Sequence, residues 1–248
     1  MRSGESTVTT YRQAVEQLSV AQKPGRGAPP YSRWINRRLG RWIAAGAHLA
    51  GRTPNQVTMI SAALSLAGIL IVALVRPQWW TGLVVAALLV LGYAFDAADG
   101  QLARLRGGGS AAGEWLDHVV DATKICLLHS AVLISFFRFS DLPHAMLLVP
   151  LGYEAVSSVF FFTFILVEKL RKSAGRQAHR GNEAGSGLVQ TALAAPTDYG
   201  LLCLVFVVFG WTPVFATLYT AMFAAHGLVL LVALARWWRE LSAGGHSS

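Results

Sequence analysis

From Pro54 to Trp238 the chain is a succession of apolar blocks separated by short polar breaks. Each block runs to roughly 20 residues, the length that crosses a bilayer as a helix. Hydrophobic residues make up 54% of the sequence and charged ones 14%, where a soluble domain carries about 25% charged residues. So few charges cannot cover the surface of a soluble protein of this size. An ordinary cytosolic globule and a disordered chain are both excluded, and a polytopic all-α membrane protein is implied.

A net charge of +8 would suggest nucleic acid in a soluble protein. Here the positions of the 21 Lys and Arg residues carry more information. Nine precede the first block and five lie between Lys169 and Arg180; Arg104 and Arg106 follow the second block, and Arg236 and Arg239 end the last. The alternate breaks hold only Arg76 and Arg138. That alternation is the positive-inside pattern. It predicts six spans with both termini in the cytoplasm, and no nucleic-acid partner is expected. High Ala, Gly and Arg usage points to a GC-rich bacterial source, hence a bacterial cytoplasmic membrane. Residues 1–30 are polar, so no cleavable signal peptide is expected. Cys126 and Cys203 lie inside apolar blocks and read as reduced packing residues.

Along the chain, residues 1–30 read as a mobile cytoplasmic tail. Residues 31–51 read as a juxtamembrane helix: Ile35, Leu39, Trp42 and Ile43 recur at helical spacing opposite Arg33, Arg37 and Arg41, which suits a helix lying on an anionic leaflet. Residues 52–238 are expected to form a six-helix transmembrane domain and 239–248 a second, cytoplasmic tail. Thr53-Pro54-Asn55-Gln56 is a helix start, with Thr as N-cap and Gln three residues on. The spans are predicted at about 54–75, 79–104, 113–137, 143–167, 188–209 and 213–238. Pro150 is expected to kink the fourth. Trp79-Trp80 and Trp237-Trp238 read as interfacial anchors.

Four carboxylates occupy the facing ends of spans two and three. Asp96 and Asp99 are three apart and Asp117 and Asp121 four apart, so each pair shares a helix face. At 1.5 Å per residue, Asp96 lies roughly 12 Å before Arg104, and Asp121 lies roughly 12 Å beyond Gly113. An antiparallel hairpin therefore brings the pairs to matched depths. Carboxylates at membrane depth are costly and mark function. Hard oxygen ligands in this number suit Mg²⁺ or Mn²⁺, two ions being expected, and such ions commonly hold phosphates.

Asp96-x-x-Asp99-Gly100-x-x-Ala103-Arg104, eight residues, then Gly113-x-x-x-Asp117-x-x-x-Asp121 resembles the signature of the CDP-alcohol phosphatidyltransferases in all eight positions and every gap. Pro54-Asn55-x-x-Thr58 is similar to the start of that family's first span. The resemblance implies six helices behind an N-terminal surface helix, and a homodimer. It implies that Asp96, Asp99 and Asp117 hold the metal on the diphosphate of a CDP-linked donor. Asp121 would take the proton of the acceptor hydroxyl and touch the metal. Gly100, Ala103 and Gly113 would admit the nucleotide, and Arg104 would pair with a diphosphate oxygen, which suits its fork geometry. CMP would leave. The favoured donor is CDP-diacylglycerol and the favoured acceptor a small polar alcohol, such as inositol phosphate or glycerol phosphate.

Other residues are candidates for the acceptor. Lys124 shares the face of Asp117 and Asp121, and either neutralises them or meets the acceptor. Glu154 and Asp198 are charges inside predicted spans, against which snorkelling or helix capping must be weighed. Arg176 and Arg180 could hold an acceptor phosphate, but positive-inside loops contain such residues anyway. His118 reads as packing, and His129 and His226 as satisfied core histidines. Two other readings stand beside the enzyme: transfer from a CDP-linked small alcohol to a lipid hydroxyl, and a cation transporter using the carboxylates as a pathway. A transporter would need polar residues through the membrane, yet the carboxylates cluster at one side.

Overall fold

The computed structural model describes residues 10–20, 29–173 and 194–243, and every regular element among them is helical. In chain order these are α1 (Tyr11–Val20), α2 (Arg37–Leu49), α3 (Pro54–Leu74), α4 (Trp79–Leu105), α5 (Ala111–Phe139), α6 (Leu148–Ser173), α7 (Tyr199–Val205) and α8 (Thr212–Ala243). Helices α3, α4, α5, α6 (with the 3₁₀ turn His144–Leu147 before it) and α8 are each long and apolar enough to cross a membrane. The protein is an integral membrane protein. For the span predicted at 188–209, residues 188–193 lie outside the described residues, and Tyr199–Val208 forms a shorter apolar helix.

Helix ends form where local chemistry dictates. Thr53 accepts from the Gln56 amide at 3.2 Å while the Gln56 side chain accepts from the Thr53 amide at 3.1 Å, and Pro54 opens α3. Helix α4 runs without a break through its polar last third. It stops where Gly107 and Gly108 adopt φ of +89° and +132° and the Gly108 amide donates to the Ala103 carbonyl at 2.9 Å. Ser110 then caps α5 by accepting from the Gly113 amide at 3.0 Å. Pro150 falls in the first turn of α6, directly after the 3₁₀ turn His144–Leu147, and the helix continues from there to Ser173.

The packing departs from a simple hairpin. Helix α3 packs against both α4 and α5, and these two are held together chiefly through it. Away from the α4–α5 turn, the main core joins α3, α4 and α5 to α6, α7 and α8 through Val72, Leu89, Val132, Tyr153, Phe206, Phe215 and Tyr219. At the turn end a second cluster joins α1 and α2 to α3 and α4 through Ala14, Leu18, Ala44, Ala45, Val57, Ala98 and Leu102. Tyr11–Val20 is therefore helical, and it corrects the expectation of a mobile tail over those residues. Ala14 and Leu18, four apart, bury completely against α2.

The surface helix leaves large apolar residues outward, as expected of a helix lying on a leaflet, and turns its smallest residues to the protein. Gly40, Ala44 and Ala45 face the protein, while Trp42 is 53% and Ile35 45% exposed. A Cβ at Gly40 would lie 2.8 Å from Gln101 Nε2 and 2.9 Å from Ala97 Cβ. Helix α2 thus meets α4 backbone to backbone. Gln101 Nε2 donates to the Arg37 carbonyl at 3.1 Å, and Asn36 Nδ2 donates to the Tyr93 carbonyl at 3.0 Å.

Candidate active site

Asp96 projects from α4, and Asp117 and Asp121 from successive turns of α5. Each offers a carboxylate oxygen within 4.8 Å of the other two. Their three partly buried charges converge across the interval between α4 and α5. Asp99, one turn further along α4, stands outside this set. It is buried, 6% exposed, and accepts a hydrogen bond from the Thr58 hydroxyl of α3 at 2.6 Å. Three of the four predicted carboxylates thus meet, and the fourth is tied to the neighbouring helix.

The wall between the carboxylate-bearing helices is a polar row on α3. Thr58, Ser61 and Ser65 are all buried. Thr58 holds Asp99, and the Ser61 hydroxyl donates to the Gly92 carbonyl at 2.8 Å. Lys124, 7% exposed, reaches back along α5 and donates to Asp96 Oδ1 at 2.5 Å, Asp121 Oδ1 at 3.0 Å and Ser61 Oγ at 3.2 Å. The sequence reading missed Ser61 and Ser65. The available signal was their 3.5-residue spacing from Thr58 on an otherwise apolar helix.

The remaining signature residues line the turn end. Gly100 lies inside α4, and a Cβ there would come no nearer than 3.6 Å to Arg104 Nη1. Arg104 is close enough to Asp99 for their charges to attract, and close enough to Arg37 for repulsion. A Cβ at Gly113 would lie 3.1 Å from Asn55 Oδ1, so this glycine lets α5 approach the start of α3. The Ala103 carbonyl receives the α4-terminating bond from Gly108.

The acceptor candidates separate. Lys124 has its three protons engaged by carboxylates and serine, which leaves none for an acceptor and favours neutralisation. Glu154 accepts from Ser130 at 2.8 Å, and Ser130 lies roughly 13 Å along α5 from Asp121. That places Glu154 away from the carboxylate cluster. Asp198, 1% exposed, accepts from the amides of Tyr31 at 2.6 Å, Ser32 at 3.4 Å and Gly200 at 3.0 Å. Its oxygens are spent capping α7 and anchoring the entry to α2, which is the capping alternative. Arg176 and Arg180 lie outside the described residues.

His129 bonds Tyr219 at 2.5 Å and Ser157 at 3.2 Å and is a satisfied core histidine. His226 is buried with Nε2 unpartnered, so satisfaction is incomplete there. His118 packs edge-on against Phe161.

The cluster fits a hard divalent cation. Ligand oxygens around one octahedral Mg²⁺ are separated by about 3 to 4 Å, close to the spread found here. Three carboxylates with one ammonium leave negative charge for such an ion to balance. Carboxylates of this kind at a wet rim can orient a metal-bound diphosphate and accept a proton.

A model of the CDP-alcohol phosphatidyltransferase family matches residues 52–233. The phosphatidylinositol phosphate synthase of Mycolicibacterium smegmatis is 38% identical over 84 residues, 34% of this chain and 36% of that protein. The enzyme of the same name from Corynebacterium glutamicum is 32% identical over 110 residues, 44% of this chain and 48% of that one. The chain thus spans between 36% and 48% of the length of these curated relatives. The crystal structure of Mycobacterium tuberculosis phosphatidylinositol phosphate synthase with CDP-DAG bound superposes with a TM-score of 0.54 at 21% identity, covering 82% of this chain and 94% of that one. The same enzyme with manganese and citrate gives 0.53 at 21% identity, covering 79% and 87%. At this identity the likeness is one of fold.

Proposed function

The chain belongs to the CDP-alcohol phosphatidyltransferase family, and we propose that it transfers a phosphatidyl group from CDP-diacylglycerol to a small polar alcohol. Inositol phosphate is the favoured acceptor. The observation that carries this reading is the convergence of Asp96, Asp117 and Asp121 from two helices, within an intact eight-position signature. Two relatives named phosphatidylinositol phosphate synthase, and a solved structure of that enzyme holding CDP-DAG, support the choice of donor and acceptor.

The residues divide the work as follows. Asp96, Asp99 and Asp117 would hold Mg²⁺ or Mn²⁺, and manganese in a solved relative supports that assignment. The ion would supply charge stabilisation to the diphosphate. Gly100 and Ala103 leave the turn end of α4 low enough for the nucleotide, and Arg104 would reach a phosphate oxygen. Asp121 takes the proton of the acceptor hydroxyl as its oxygen bonds the phosphatidyl phosphorus. The bond from that phosphorus to the CMP oxygen breaks, and CMP leaves with the bonding pair. A carboxylate is a weak base for an alcohol, so Asp121 works only because charge on the phosphate is offset at the same time.

We propose that the α4–α5 turn, and with it the site, lies on the cytoplasmic side together with both termini, a reading that the positive-inside pattern supports. On the resemblance alone we extend the proposal to a homodimer, checked by light scattering of the detergent-solubilised chain.

The test is CMP release from labelled CDP-diacylglycerol by the purified protein, with a panel of acceptors and chromatography of the lipid product. Product formation with inositol phosphate, and none with diacylglycerol plus CDP-linked amino alcohols, is expected. The reverse pattern refutes the assignment of donor and acceptor. No CMP release with any pair refutes the transferase reading.

A further inference from the structure

The ammonium of Lys124 sits where a cation is wanted. Three helices deliver oxygens to it: Ser61 from α3, Asp96 from α4, and Asp121 from its own helix α5, at 3.2, 2.5 and 3.0 Å. An ammonium has three protons, and all three are used. The acceptor on the α3 side is fixed as well, because Ser61 turns its own proton to the Gly92 carbonyl at 2.8 Å. Its lone pair therefore faces Lys124. The lysine is 7% exposed. It is neither a solvated surface charge nor a side chain free to sweep toward a substrate.

The charges set the consequence. Asp96, Asp117 and Asp121 carry three negative charges within a 4.8 Å cluster, and Lys124 returns one positive charge to it. Asp99 stands beside the cluster, held by Thr58, and the Arg104 that attracts it offsets its charge. Two negative charges remain, which one divalent ion balances. A second divalent ion would have to approach the ammonium while sharing Asp96 and Asp121 with it.

We propose that Lys124 is a resident cation of this site, occupying one of two cation positions among the carboxylates. The free protein then binds one divalent ion, although its carboxylates could otherwise hold two. Repulsion between the ammonium and a second divalent ion about 5 Å away, at an effective dielectric near 20, weakens that ion by about 10⁴-fold or more. Lys124 is thus a positioning residue. It draws Asp96 and Asp121 together before metal arrives, and it reserves the second cation position until further negative charge enters. This deepens the transferase reading and rests on it in one respect: the added charge would be the donor diphosphate.

The test counts bound Mn²⁺ by the paramagnetic resonance signal of the free ion, with the full chain in detergent, with and without CDP. Wild type is expected to bind one Mn²⁺ per chain without CDP. Lys124→Met, which keeps the apolar stem and removes the charged end, is expected to bind a second ion about 10⁴-fold more tightly than wild type does. Lys124→Arg should bind one, as wild type does. Two tight ions on wild type without CDP would overturn the proposal, because the lysine would then have been displaced. One ion on a folded Lys124→Met variant would overturn it equally. Should Lys124→Met not fold, the wild-type count still decides. CDP is expected to raise the wild-type count to two. If CDP leaves it at one while Lys124→Met binds two, the lysine assignment stands and the CDP-donor reading falls.

Discussion

Thr58→Val isolates the bond that fixes Asp99. The substitution keeps the branched shape and removes one hydroxyl. That hydroxyl donates to a buried carboxylate at 2.6 Å and also lies 3.1 Å from the Pro54 carbonyl. It has one proton, and the shorter, charge-assisted contact holds it. The Pro54 carbonyl keeps its helical partner when the hydroxyl is gone, so the variant leaves one group unpaired, the Asp99 carboxylate. A hydrogen bond to a charged group contributes about 1.5 to 3 kcal/mol. The competing contact to Pro54 already weakens the bond somewhat, which favours the lower half of that range.

At about 1.4 kcal/mol per decade, the loss is about 10- to 40-fold, divided between binding and stability. Asp99 at 6% exposure has little water to turn to. If the freed carboxylate swings out of line, metal-dependent donor binding weakens, and KM for the CDP-lipid rises in a micellar CMP-release assay. If it stays and remains unpaired, the protein pays in stability, and Tm in detergent falls by about 3 to 10 °C. Thr58→Ser keeps the donor and should stay within a few-fold of wild type on both readouts. A Thr58→Val protein within twofold of wild type in kcat/KM, with unchanged Tm, would refute the reasoning.

Asp121→Asn should lower turnover by about 10² to 10⁴, the span of a general base. Its Mn²⁺-dependent CDP binding, by calorimetry, should fall far less than that of Asp96→Asn or Asp117→Asn; equal loss in all three would make Asp121 primarily a ligand. Excess chelator should abolish CMP release and Mn²⁺ restore it, since clustered carboxylates need a cation to engage a diphosphate; full activity in chelator would count against a metal site. Gly40→Ala places a methyl 2.8 Å from Gln101 Nε2 and 2.9 Å from Ala97 Cβ, and overpacking should lower stability by about 1 to 3 kcal/mol in detergent unfolding. Single cysteines at Gln78 and Ser140 should react with an impermeant reagent from outside and one at Gly108 should not, and labelling at Gly108 would reverse the orientation.

Much of this site was legible because helical geometry converts spacing into faces. Asp96 with Asp99, and Asp117 with Asp121, could be paired from their intervals alone. Thr53, Gln56 and Gly107 mark ends whose chemistry is local, and they mark them in the structure too. What failed to read depended on a partner. The ten residues from Tyr11 to Val20 bury only Ala14 and Leu18 fully, with Val15 beside them, and these matter because Ala44, Ala45 and their neighbours offer them a surface. For helix α2 the pattern gave the face turned outward and was silent on the protein-facing side, which is Gly40, Ala44 and Ala45. Close approach of two backbones selects for the absence of a side chain, which a hydrophobic pattern cannot register. Asp198 looked like a charge inside a span because its backbone partners, Tyr31 and Ser32, lie far away in the chain.

The largest omission was a long helix without a charge. A search for chemistry by ionisable residues passes over α3, yet α3 is the wall that α4 and α5 share. Thr58, Ser61 and Ser65 recur there at three and four residues, as do Gly92, Asp96 and Asp99 on α4 and Asp117, Asp121 and Lys124 on α5. This is the alternation of a packed helical seam. The same stripes continue inward as Val72 on α3, Val85 and Leu89 on α4, and Leu128 and Ala131 on α5, where they form the apolar core. Gly92 sets the approach, since a Cβ there would lie 3.2 Å from the Ser61 carbonyl oxygen. The site is therefore the polar end of the seam that holds the bundle together. Its carboxylates inherit their spacing from core packing, and so a substitution on α3 can move a charge on α4 without touching it.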